Sequence, residues 1–366
     1  MKRGSIVMVL AVLVSTCPLL AATAYFTTTP NSDYATASNW STGLIPGNGN
    51  NDEPRIGQSN TASAVYNTAA GYTTTSRFLI GYQGGGNGSL TMNAGAGTLT
   101  FGGNNFGSAN YVGVDGGTGT LTMNAGTIDL TGAAGLNIGC NAAVATGTVT
   151  VNSGATINVG SRLLMANSGV TNVATLTLGG GTVNVGTGGA NGLGGSQYGV
   201  LRLGEGTTTV NLNSGLLNLY SFQSFSASAA KTLVNFNGAT VQARGNNAIF
   251  FTNPAGTGVG TYTTRVQAGG AIFDTNGYSI GVGTALVEDA GSPGGGLIKT
   301  GAGTLTLSGA STYTGSTLVQ AGTLNIAAGG SLTGAGLINA TGGGVLTIDG
   351  TVTQANGQVF SVGTGI

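Results

Sequence analysis

The chain contains no histidine, and its 366 residues carry only 10 basic and 10 acidic side chains. Without histidine, Ser-His-Asp and Cys-His arrangements cannot be built, and the usual zinc sites lose their main ligand. So few charges, balanced in sign, draw neither the basic footprint of a nucleic-acid binder nor a polybasic membrane patch. Proline occurs six times, tryptophan once and cysteine twice. After the first 24 residues no stretch approaches the roughly 18 apolar residues of a membrane span.

Those first residues read as a secretory leader. Lys2 and Arg3 precede the apolar run Ile6 to Val14, and Ala22-Thr23-Ala24 supplies small residues for a cut after Ala24. The rival site, Cys17 in VSTC, has Thr16 where lipid-attachment sites usually carry Gly, Ala or Ser, and Pro18 follows it. Export with cleavage after Ala24 is therefore expected. It leaves Cys140 as the single cysteine, so no internal disulfide can form. It also removes Lys2 and Arg3, leaving 8 bases against 10 acids.

What is abundant is glycine, with 71 residues, but it follows no Gly-X-Y period, and the 40% hydrophobic content is too high for a disordered tail. GSLTMNAG at 88–95 returns as GTLTMNAG at 119–126. Aligned on its first apolar residue, the unit recurs at Leu90, Leu121, Val149, Leu176, Val210 and Val234, at intervals of 31, 28, 27, 34 and 24 residues. A period that varies by a few residues is the mark of a solenoid with variable loops. Within each unit apolar and polar residues alternate strictly on either side of a turn, which predicts two strands with one buried face. A third strand precedes them in FLIGYQG, NYVGVDG, GLNIGCN and RLLMANSG.

Stacked three-strand rungs place equivalent residues above one another, about 4.8 Å apart. The alignment gives such columns: Asn93, Asn124, Asn152, Asn213 and Asn237; Thr100, Asp129, Asn158, Asn184, Asn218 and Gln242; and Gln83, Asp115, Asn141 and Asn167. The expected fold is all-β, a right-handed parallel β-helix of about eight to ten rungs. Residues 25–76, with Trp40 and weak periodicity, are expected to form an N-terminal cap segment. Rungs follow over 77–290, with 221–231 and 253–264 as loops or distorted rungs. Gly291 to Gly296 is read as a joint before C-terminal rungs at 291–366, which end in an open edge suited to end-to-end self-association.

NYVGVDGGTGTLTMNAGTIDL resembles the T5SS/PEP-CTERM-associated repeat, and GLIKTGAGTLTLSGASTYTGSTLVQAGTLNI at 296–326 is similar to the autotransporter-associated β-strand repeat. ATASNWSTGLIPGNGNNDEPRIG, with Trp40 and Pro46, resembles the opening of such exported bacterial proteins. The resemblance implies a passenger-like β-helix at or beyond the cell surface and no defined activity.

For catalysis the candidates are Asp115 and Asp129, because some β-helix proteins cleave polysaccharides with clustered carboxylates about 5 to 9.5 Å apart. The columns set these two on different strands among amides, so they read as isolated charges and no catalytic residue is assigned. Glu205, Asp274 and Glu288-Asp289 stand near loops with no partner visible in the sequence. GVDGGTG at 113–119 lacks the recurrence of a calcium repeat, since Asn141 stands where Asp115 would repeat. No cofactor and no metal is expected. Cys140, alternating with Leu136 and Ile138, reads as a buried small hydrophobe. The surface candidates are ranks of Thr-x-Thr: Thr120 and Thr122, Thr148 and Thr150, Thr175 and Thr177. Such ranks suit exposed strands in general, and on a flat solenoid they suit ice or ordered sugar chains. Three roles follow: a surface structural or adhesive protein contacting polysaccharide or cell-surface glycans, a polysaccharide-acting enzyme, or an ice- or glycan-binding solenoid. The first is expected, without enzymatic activity.

Overall fold

The computed structural model describes residues 22–27, 32–102, 109–141, 144–188, 198–224, 230–252, 260–354 and 360–362. Within them the chain is all-β apart from a single turn of 3-10 helix at Ala37–Asn39. Every strand-to-strand pairing is parallel, and each strand pairs with its equivalent in the next rung. The molecule is a parallel β-solenoid with three faces.

The first face runs from Thr23–Tyr25 and Glu53–Gln58 through Leu79–Tyr82, Asn110–Val114 and Leu136–Cys140 to Ser221–Ser224. It passes to a second sheet that begins at Asn247–Phe251 and ends at Val345–Ile348. The two sheets meet where the Phe222 and Phe251 rings stack with centroids 4.4 Å apart. The second face contains Thr118–Met123 and Thr146–Asn152, and the third contains Gly126–Leu130 and Ala155–Val159. In Val173–Val185 and Thr207–Leu219 one strand rounds the corner between these faces unbroken, because Gly179 to Gly181 and Gly215 bend there without a side chain to clash.

First-face strands succeed one another twelve times among the described residues. The expectation of eight to ten rungs was low because the C-terminal rungs are shorter. Leu297 pairs with Thr317 and Thr317 with Ile338, a period of about 20 residues that lacks the LTMNAG signature. Pairing also continues across 291–296, where Ala271 meets Leu297 and Ile280 meets Leu305. Ser221–Ser224, inside one segment read as a loop or distorted rung, and Thr261–Val266, overlapping the end of the other, are paired strands; 225–229 and 253–259 lie outside the described residues. The first full rung, Glu53–Gln58, Thr61–Tyr66 and Tyr72–Thr74, falls within the segment read as a cap. Before it, the Trp40 ring packs edge-on against Phe26 and Tyr34, each at 4.9 Å, and its indole N–H donates to the Tyr34 carbonyl at 2.9 Å.

The register bears out the alternation. Leu90, Leu121, Val149, Leu176, Val210 and Val234 are consecutive partners and form one buried column of the core. Burying one such Leu removes it from water at a gain of about 2 kcal/mol, so the stacked columns supply the main driving force for folding.

Candidate functional site

Each polar column is a ladder of neighbours along the solenoid. The Asn124 side-chain amide donates to Asn93 at 3.0 Å, and Asn152 donates to Asn124 at 2.8 Å. On the third face Thr100, Asp129, Asn158, Asn184, Asn218 and Gln242 are in register as read, and the column continues to Asp274 and Thr300. Asn184 donates to Asn158 at 2.9 Å, and Gln242 to Asp274 at 2.7 Å.

The third column is a corner of left-handed residues. Gln83, Asp115, Asn141 and Ser168 have φ of 66°, 52°, 79° and 62°, so the fourth member is Ser168 rather than Asn167. Two positions earlier, Gly81, Gly113 and Gly139 are also left-handed, and a Cβ there would lie about 2 Å from the carbonyl oxygens of Thr118, Thr146 and Val173. This double kink turns the residue between outward. Cys140 is therefore buried, as expected, but away from Leu136 and Ile138: it packs outside the first face with Val114, Leu79, Tyr111 and Leu164. Burial pushes its thiol up to about 12.

Asp115 sits at this corner and Asp129 in the third face between Thr100 and Asn158, with no acid above or below either in register. Among the described residues no three of His, Cys, Asp and Glu converge as metal ligands would. Two clefts, of about 430 Å³ over Tyr25, Arg55 and Gln58 and about 350 Å³ over Asn246, Ser279 and Gly281, are lined without a carboxylate. Asp274, Glu288 and Asp289 have partners on neighbouring rungs. Asp289 accepts from the Gln267 amide at 2.6 Å and lies 3.6 Å from Arg265, and the Gln267 bond leads in holding its carboxyl below the ordinary value. Glu288 accepts from Gly294 N–H at 2.8 Å and from the Thr314 hydroxyl. Sequence adjacency could not reveal the Gln267, Arg265 and Thr314 contacts, because these partners stand 22 to 26 residues away.

The Thr ranks come together. Thr120, Thr148 and Thr175 are register partners, as are Thr122, Thr150 and Thr177, all half-buried on the outside of the second face. Thr209 extends the first column, and Thr118, Thr146 and Thr207 belong to a third that the sequence reading left out. The same two-residue step would have found them.

Lys299 was also missed. It points into the solenoid between Phe273 and Val319 and is fully buried. Its ammonium donates to the Thr275 hydroxyl at 2.9 Å and to the carbonyls of Thr300, Gly301 and Ala321 at 2.7, 2.7 and 3.0 Å, tying successive corners together. Burial lowers its pKa to about 8, with Asp274 opposing the shift.

Fold and surface together define a parallel β-solenoid with polar ladders on its faces. Residues 297–326 match the passenger-associated-transport-repeat family, so this segment is an autotransporter passenger-associated repeat, as its sequence suggested. Its strands continue the sheets of the preceding rungs. No curated protein and no solved structure matches the chain. No helix among the described residues is long and apolar enough to cross a membrane.

Proposed function

We propose that this chain is an exported, passenger-like scaffold of the bacterial cell surface or its surroundings, acting by contact and not by turnover. The observation that carries the reading is the passenger-associated repeat at 297–326, built into the same stack as the other rungs. A rod with polar ladders of mostly uncharged side chains along its faces can hold neutral glycans through many weak contacts, whose avidity grows with the number engaged. The separation of Asp115 from Asp129, and the amide and hydroxyl neighbours of the latter, support a non-catalytic role, because glycosidic cleavage needs two carboxylates facing one bond. The test is to incubate the mature chain with plant, algal and bacterial polysaccharides. Retention on some of them without released sugar is expected. Steady product release that disappears in Asp115→Asn or Asp129→Asn would establish an enzyme instead.

A further inference from the structure

Across four rungs the outward positions of the second face form a net of three columns. They read Thr118, Thr146, Val173, Thr207; Thr120, Thr148, Thr175, Thr209; and Thr122, Thr150, Thr177, Asn211. Ten of these twelve positions are Thr, none is charged and none is aromatic. Charge enters only beyond the net, at Lys231 and Arg265 on one side and at Asp33 on the other. The Thr177 hydroxyl accepts from Asn211 at 3.2 Å; those of Thr120, Thr122, Thr148, Thr150, Thr175 and Thr209 make no hydrogen bond to any described residue. Beneath the net Leu121, Val149, Leu176 and Val210 are fully buried, which fixes the spacing of the strands above them.

A single hydroxyl exchanging water for a ligand gains almost nothing. The net has no ring on which a sugar could stack and no guanidinium or carboxylate to grip one. Its distinguishing property is periodicity: like groups repeat at about 4.8 Å across the rungs and about 6.6 Å along them. Only a partner that is rigid, uncharged and itself periodic in two dimensions can meet many of these groups at once. Ice has that character, with surface oxygens that donate and accept as hydroxyls do and hollows between them that admit methyl groups. We infer that the Thr net is an ice-binding face. This is independent of the glycan-contact reading, which has its own assay.

The full mature chain is grown into a slowly advancing ice front, and its ability to stop ice recrystallisation is measured. Enrichment in the ice is expected for the wild type. Thr150→Tyr, at the middle of the net, should abolish it with melting temperature unchanged, and Thr177→Tyr provides a second substitution should the first perturb folding. Thr156→Tyr, on the third face, should bind ice as the wild type does. Exclusion of the wild type from ice, or equal uptake of wild type and Thr150→Tyr, would overturn the inference. So would loss of polysaccharide retention in Thr150→Tyr with no ice uptake by the wild type, which would assign the net to a glycan.

Discussion

Leu121 and Thr122 are neighbours in the chain and opposites in environment: the first is fully buried and the second lies on the outer face. Leu121→Asp strands a charge among stacked aliphatic side chains and should cost about 4 kcal/mol, whereas Thr122→Asp should stay within about 1 kcal/mol. Equal losses in chemical denaturation would show the register to be wrong. This alternation was legible because a strand with one buried face writes its burial into every second residue. Lys299 was not, since it occupies an apolar position and only the corner carbonyls around it explain a cation there. It also makes a pH prediction. The folded lysine titrates at about 8 and the unfolded one near 10.5, so between these values the unfolded chain binds more protons. Stability should therefore gain from this residue as pH rises through that window. Urea titrations of wild type and Lys299→Met check it, because curves of identical pH slope would remove the effect.

At the scale of the rung, the glycines of the first-face corner set how closely neighbouring turns approach. Gly113 has φ of 75°, and a Cβ there would meet the Thr146 carbonyl of the next rung, a backbone atom held in its own ladder. Gly132 is also left-handed, at 61°, but has open space around it. Gly132→Ala should cost about 1 kcal/mol for conformation alone, and Gly113→Ala should cost several times more. Thermal melting that ranks the two equally would mean that the rungs can move apart at this corner. The columns themselves could largely be read from the repeats, including the third-face column from Thr100 to Gln242, though not its continuation to Asp274 and Thr300. The outward turn of Cys140 could not, because it depends on left-handed angles at both Gly139 and Asn141 and not on hydrophobicity.

For the molecule as a whole, repetition revealed the solenoid, but counting rungs from a single signature lost those that lack it. Thr23–Tyr25 pairs with the following rung, and Ala24 is fully buried. Cleavage after Ala24 should give a mature chain beginning at Tyr25, whose backbone nitrogen lies 2.9 Å from the Ser41 hydroxyl. Intact mass of the exported protein tests this, and a lipid-modified Cys17 would refute it.

The stack of parallel rungs also has a mechanical consequence. Each rung adds about 4.8 Å to the rod, yet a rung of 20 to 30 residues, pulled straight, spans about 70 to 100 Å. A load along the rod would part neighbouring rungs wherever their backbone ladders give first. The molecule would then pay out chain turn by turn, lengthening some fifteen- to twentyfold for each turn released, and the rungs not yet parted would stay wound. A rod built in this way is also a spool, able to absorb a tug by unwinding.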